Sequence, residues 1–152
     1  MQDQIKPSSQ HSRYGVIYGL SSCLILYLSY KVGYTTRGIT TLFGFVLAAI
    51  CVFLSINLFK NSNSGQLSVA NALLIGLVIG LVGGVIYAIY VYLHYDLIDT
   101  TTIAEQLKIA EEQIKQQSPQ LTEEQIEQAM KITTVVSSPA SLAVFKFIGA
   151  LF

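Results

Sequence analysis

The residues of this chain that most resemble a chemical site lie around His94, with Asp96 two positions later. Histidine titrates near neutral pH, so such a group at the exit of a membrane span is typical of a proton- or cation-handling cluster. The alternative is an interfacial aromatic belt whose hydroxyls reach lipid headgroups, with His94 and Asp96 marking the water boundary. We favour the belt. Its tyrosines are Tyr87, Tyr90, Tyr92 and Tyr95.

Lys146 is the one charge that falls clearly inside a predicted membrane span. Ionisable groups at that depth are candidates for function by default. A lysine near a helix start can instead extend its amine to the interface, and we favour that interpretation. Lys146 therefore stays a secondary functional candidate.

Carboxylates in the second half of the chain are potential ligands for divalent cations. Calcium loops need closely spaced oxygen ligands around a glycine, and these residues occur in helical patterns instead. We therefore predict a solvated helix face and no metal site. The residues are Asp99, Glu105, Glu111, Glu112, Glu123, Glu124 and Glu127.

Known catalytic motifs are absent from the sequence. It contains no HExxH zinc pair, no GxSxG elbow and no Walker-type glycine loop, and its two histidines lie far apart. We predict no catalytic residue and no cofactor. The formal net charge is zero, so no overall basic field favours nucleic acid, and no small-molecule substrate is indicated.

Small residues recur at every fourth position of the most apolar segment. This segment is uncharged from Val69 to Tyr95, long enough at about 1.5 Å per residue to cross a bilayer core of about 30 Å. A row of small side chains lets another helix backbone approach closely, within the bundle or between copies. The row, here called the small-residue ladder, is Ala72, Gly76, Gly80, Gly84 and Ala88. Shorter faces of the same kind are Gly15 with Gly19, and Gly44 with Ala48.

The elements that position these residues are membrane helices. The composition is 52% hydrophobic and 12% charged, against about 25% charged residues in soluble domains. The sequence predicts an all-α, polytopic transmembrane bundle: a polar tail at 1–13, three spans within 14–95, an acidic extramembrane insert at 96–136, and the start of a fourth span at 137–152. We expect the rest of that span to lie beyond Phe152. Cys23 and Cys51 fall inside spans and are predicted to be unpaired packing residues.

The acidic insert is predicted to be an amphipathic helical hairpin. Capping boxes are indicated at Thr102 with Glu105 and at Thr122 with Gln125, and Ser118-Pro119 separates the two helices. The hairpin's apolar stripes are narrow and its acidic faces repel anionic lipid, which favours docking onto protein over membrane insertion. Pro139 is expected to open the last helix. Basic residues flank both ends of the spans almost equally, and we lean towards a cytoplasmic N-terminus.

Several segments together resemble one family. They are RYGVIYGL, IGLVIGLVGGVIYAIYVYLHYDLID, LTEEQIEQAMK and SSPASLAVFKFIGALF. The chain is similar along nearly its whole length to the DUF4199 family of small bacterial membrane proteins, common in Bacteroidetes. The resemblance implies four transmembrane helices in the bacterial inner membrane. It implies no reaction, cofactor or catalytic residue.

Two functions stay open at this point. The first is a non-enzymatic helical membrane protein, embedded in the lipid bilayer, that interacts with a membrane-protein partner or with further copies of itself. The second is a small transporter or channel subunit working as an oligomer or with a partner. The second requires polar residues along a shared cavity, so we rank it behind the first.

Overall fold

The computed structural model describes residues 9–33 and 37–151, and this part of the chain is helical without any strand. Residues 1–8 of the predicted tail, residues 34–36 and residue 152 lie outside it. The remaining part of the predicted tail, residues 9–13, is helical and forms the start of the first helix. A five-residue π-helical turn, His94–Ile98, continues the third helix. The helices are α1 (Ser9–Val32), α2 (Arg37–Ser62), α3 (Val69–Leu93), α4 (Thr100–Gln117), α5 (Glu123–Val136) and α6 (Pro139–Gly149).

Three segments are long and apolar enough to cross a membrane: His11–Val32, Leu42–Ser62 and Val69–Ile98. A fourth arises if α5 and α6, which meet at a bend of 57°, are taken as one broken span. The predicted all-α transmembrane bundle is confirmed. In a bilayer, helices satisfy every backbone hydrogen bond within the segment, which is why such apolar sequences take this form.

Helix α3 is the centre of the bundle. On one side it lies parallel to α1, with Gly15 beside Val82 and Gly19 beside Gly83. On another side it packs against α6, and α2 closes the third side. The best-buried apolar cluster is formed by α2 and α3 and consists of Cys51, Phe59, Ile75 and Ile79.

The hairpin starts at Asp99, which corrects one expectation from the sequence. The Asp99 carboxylate accepts a hydrogen bond from the Thr102 backbone N–H at 3.2 Å, so Asp99 is the N-cap of α4 and Thr102 lies inside the helix. Aspartate is as good an N-cap as any residue, and it precedes Thr102 by three positions. The predicted end of α4 at Ser118 is confirmed.

The start of α5 agrees with the sequence. The Thr122 hydroxyl accepts from the Gln125 N–H at 3.3 Å, and the Gln125 side chain accepts from the Thr122 N–H at 2.9 Å, which completes the predicted capping box. The predicted apolar stripes of both hairpin helices are half-buried. These are Ile103, Leu107, Ala110 and Ile114 on α4, and Ile126, Ala129 and Met130 on α5.

The hairpin carries ion pairs whose side chains are exposed to solvent. Lys115 donates to Glu111 at 2.6 Å, and this hydrogen bond raises the pKa of the Lys115 amine. Lys131 lies 2.9 Å from Glu127 in the same i, i+4 arrangement. Because all four side chains are exposed, these pairs add little to the stability of the fold.

Helix α6 returns along α3 in the opposite direction. Ser138 caps it by accepting from the Ser141 N–H, and Pro139 occupies the first turn as predicted. Its beginning lies near the end of α3, and Ala150 just past its end lies beside Gly80 in the middle of α3. The structure thus places the ladder of α3 opposite α6.

Candidate functional site

The small-residue ladder faces α6 through its central glycines. A Cβ atom added at Gly80 would lie 2.5 Å from the carbonyl oxygen of Ala150. One added at Gly84 would lie 3.0 Å from the Ala150 Cβ and 3.2 Å from the Phe147 ring. At Gly76, no atom of residues 9–33 or 37–151 lies within 4 Å of the corresponding position. The close approach of α6 to α3 therefore involves Gly80 and Gly84 in the middle of the ladder. The described residues after α6 do not reach the start of the ladder at Ala72 and Gly76.

A second glycine contact joins α3 to α1. A Cβ at Gly83 would lie 2.8 Å from the Gly15 carbonyl oxygen and 3.2 Å from the Gly19 backbone nitrogen. Sequence reasoning named Gly15 and Gly19 but missed Gly83, because Gly83 lies one position outside the strict period of four. The doubled glycine at 83 and 84 is the signal that was available, since neighbouring residues on a helix point to different faces.

The short face on α2 lacks such a contact. Among the residues that the structure describes, none comes within 4 Å of a Cβ added at Gly44, and Ala48 is half-buried. Helix α2 packs instead through larger side chains, which include Cys51 and Phe59.

Between α3 and α6 lies an apolar groove of about 470 Å³. Ala88, the last member of the ladder, lines it together with Tyr92, Ala143 and Phe147. The exposed lining of this groove is almost entirely apolar, which does not suit a polar solute. It fits packing or lipid contact better than a polar substrate.

His94 is the centre of the most elaborate polar cluster. It is only 1% exposed, and its Nδ1 lies 3.3 Å from the hydroxyl of Tyr90. Three tyrosine rings surround the imidazole: Tyr30 edge-on at 5.3 Å, Tyr90 tilted at 5.5 Å and Tyr95 edge-on at 5.2 Å between ring centroids. Two tyrosines of the expected belt, Tyr90 and Tyr95, therefore pack around a buried histidine. Tyr30, which comes from α1, was not anticipated.

Asp99 joins this cluster to the hairpin, and the prediction that it belongs to a solvated face is wrong. Its residue is 5% exposed, whereas Asp96, which the sequence grouped with His94, is exposed. The Asp99 backbone N–H donates to the His94 carbonyl at 2.7 Å, which closes the π-helical turn, while its carboxylate caps α4. The π-turn brings Asp99 back towards the histidine, a placement that linear spacing does not reveal. Single π-turns inside helices are frequent at functional sites.

The other histidine makes a separate contact at the opposite end of the bundle. His11 Nδ1 on α1 lies 2.7 Å from the Ser55 hydroxyl on α2, and both residues are almost fully buried. The Phe59 ring covers the imidazole at 5.8 Å between centroids. A histidine next to a serine also occurs in hydrolases, but nucleophilic attack needs a substrate-accessible hydroxyl, and Ser55 is 0% exposed. The geometry is that of a hydrogen bond between transmembrane helices.

We expect Ser55→Ala to lower the free energy of unfolding by about 0.6 to 1.7 kcal/mol, the range found for interhelical hydrogen bonds in membranes. The physical reason is that His11 loses its partner in a dry environment. Ser29→Ala is the matched control, because the Ser29 hydroxyl donates within its own helix, to the Ile25 carbonyl. Unfolding in mixed micelles by SDS titration measures both. Equal losses in the two variants would contradict the role of the His11–Ser55 bond.

The remaining candidates are more scattered. Lys146 is exposed on α6 and does not point into the bundle interior. Cys51 is buried, Cys23 is half-buried, and both are free thiols. Within residues 9–33 and 37–151, no three His, Cys, Asp or Glu side chains come together in a way that could hold a metal ion.

Comparison with known families decides the relationship that the segment resemblance suggested. The family described as "Protein of unknown function (DUF4199)" matches residues 13–152. The chain belongs to this family. Both glycine contacts, the His94 cluster and Asp99 lie inside the matched region of this DUF4199 protein, whereas His11 precedes it. No curated protein and no solved structure matched the chain.

Membership in DUF4199 assigns no reaction, because the family itself is described as being of unknown function. What the DUF4199 chain presents physically is a bundle with three apolar spans, two glycine contacts on α3, and a charged hairpin joined to it through Asp99. Any function must be argued from these features.

Proposed function

We propose that this protein is a non-enzymatic, multi-pass membrane protein whose extramembrane hairpin docks a partner protein. The observation that carries the proposal is the distribution of apolar and charged side chains over the hairpin. Its apolar stripes are half-buried, whereas most of its charged side chains are exposed to solvent. Glu111, Lys115, Glu123 and Glu127 line a groove between α4 and α5. The exposed ion pairs among these charges add little to the stability of the fold. A surface that the fold does not need is available for recognition.

The charge of this surface favours a basic partner. All acidic residues of the chain except Asp3 lie between Asp96 and Glu127. Only two lysines lie in this stretch, and a third, Lys131, follows it. Two copies of one acidic hairpin repel each other, so the charge opposes hairpin-to-hairpin self-association. Exposed Ile109 on α4 and Ile132 on α5 supply apolar contact area within the charged surface.

We expect a photo-crosslinking residue at Ile109 to give one discrete adduct in cells, with a protein whose contact surface is basic. The same probe at Ser64, in the exposed loop at the opposite end of the bundle, is the positional control. The double charge reversal Glu105→Lys with Glu112→Lys should abolish the adduct, because it turns attraction into repulsion. Lys108→Glu, on the same helix, should preserve or strengthen it.

An adduct that survives the double charge reversal, or that forms equally from Ser64, would contradict the proposal. An adduct with a second copy of the chain would replace the basic partner with self-assembly. The transporter alternative makes its own prediction in proteoliposomes, namely solute flux that is lost in Lys146→Leu. Flux of that kind would reverse the ranking of the two functions.

A further inference from the structure

We propose that His94 and Asp99 form a proton-operated joint between the transmembrane bundle and the hairpin. When His94 takes up a proton, the Asp99 carboxylate turns towards the imidazolium, releases the start of α4 and loosens the hairpin at its root. This concerns how the hairpin is attached, and it holds whether or not the hairpin docks a partner.

Asp99 is placed where one carboxylate can serve two groups. Its oxygen accepts from the Thr102 N–H at 3.2 Å, while its own N–H is tied to the His94 carbonyl at 2.7 Å. That backbone bond holds the residue that bears the carboxylate directly against the residue that bears the imidazole, and both residues are almost fully buried. The same bond does not involve either titrating group, so it serves as the pivot.

His94 is almost fully buried, so a charge on its ring must be balanced by neighbouring groups and not by water. In the neutral imidazole with the proton on Nε2, Nδ1 accepts from the Tyr90 hydroxyl at 3.3 Å. In the charged form both ring nitrogens are donors, and a buried cation requires a nearby counter-charge.

The titratable groups around the ring identify the counter-charge. Tyr30 reaches it from α1, Tyr90 from α3 and Tyr95 from the π-turn, and none of these three residues is a carboxylate that could pair with a cation. Lys31 lies 5.8 Å from the outer Tyr30 ring and brings a like charge, and Asp96 is exposed to solvent. Asp99 is the buried carboxylate at this place. A proton on His94 therefore competes with Thr102 for Asp99.

Loss of the cap loosens the first turn of α4 because its leading N–H groups have no partner inside the helix. The hairpin is joined to the bundle at this root and at the bend between α5 and α6. A change at Asp99 is thus transmitted to the angle and mobility of the whole hairpin. Through this joint, the pH at the membrane edge would determine how the hairpin presents its acidic surface.

The test follows backbone amides of threonine by NMR in the full-length protein, in nanodiscs of uncharged lipid. We expect the Thr102 amide resonance to shift as the pH is lowered, with the same midpoint as the His94 ring in the same titration. The Thr122 amide is an internal control, because its capping box contains no charged group and should stay still. Uncharged lipid avoids a surface potential that would shift local pH.

Three variants separate the possible causes. His94→Gln should remove the Thr102 response, and Asp99→Asn should also remove it while keeping a capping oxygen. His11→Gln removes the only other histidine and should leave the midpoint unchanged.

The proposal is overturned if the Thr102 amide stays constant while the His94 ring titrates, or if it responds with a midpoint different from that of the His94 ring. It is also overturned if the response persists in His94→Gln. The comparison of the two midpoints needs only the unaltered protein, so it decides the question even if a variant fails to fold.

Discussion

Replacing Gly83 with leucine should lower the free energy of unfolding by about 3 kcal/mol, the upper end of the usual cost of overpacking. The groups closest to an added Cβ include the Gly15 carbonyl oxygen at 2.8 Å and the Gly19 nitrogen at 3.2 Å. Both belong to the α1 backbone, so no side-chain rotation relieves the clash. Helix α1 must move away from α3, and that movement breaks the packing of the bundle.

The matched control for this variant lies on the same helix. Gly76→Leu makes the same chemical change, but no atom of the described residues lies within 4 Å of the added Cβ. SDS titration in mixed micelles should therefore give a lower midpoint for Gly83→Leu and a nearly unchanged one for Gly76→Leu. If both variants unfold at the same point, the loss comes from helix propensity or lipid contact, and close packing of α1 on α3 is refuted.

The second large effect is expected at the contact between α3 and α6. In Gly80→Leu the new side chain meets the Ala150 carbonyl oxygen at 2.5 Å from its Cβ, and Ala150 is held just past the end of an 11-residue helix. A helix this short depends on tertiary packing for its stability. We expect α6 to detach while α1, α2 and α3 stay together.

Hydrogen exchange measured by mass spectrometry tests this directly. Amides of α6 should exchange about tenfold faster in Gly80→Leu, equivalent to about 1.4 kcal/mol of lost protection. Gly149→Leu places the same side chain on α6 itself, where no atom from the described part of the chain lies within 4 Å, and should leave the exchange unchanged. Wild-type exchange rates in Gly80→Leu would show that the ladder is not what holds α6.

These expectations describe a bundle whose architecture depends on one helix with two adjacent glycine faces. Gly83 serves α1, and Gly80 with Gly84 serves α6. In membranes the hydrophobic effect does not drive helices together, so close van der Waals contact across small residues has greater weight. Internal packing uses both described faces. The ladder therefore does not by itself call for a second copy of the chain.

The sequence predicted helix ends correctly where they depend on hydrogen bonds or backbone preferences of neighbouring residues. The capping box at Thr122 and Gln125 and the helix start at Pro139 depend on neighbouring residues alone, and both are confirmed. The start of α4 was misassigned because Asp99 and Thr102 are both acceptable caps. The choice between them depends on where the preceding π-turn leaves the backbone, which is a tertiary outcome.

By itself, the sequence determined that the chain is a helical membrane protein with a charged hairpin, because hydropathy, helix caps and the exclusion of unsatisfied backbone from lipid depend on composition and short-range order. Only the tertiary structure decided which glycine faces which helix, that Tyr30 meets His94, and that Asp99 is buried beside it. A period of four identifies a row on a helix but not its partner. The partner depends on how the rows of all the helices fit together in space.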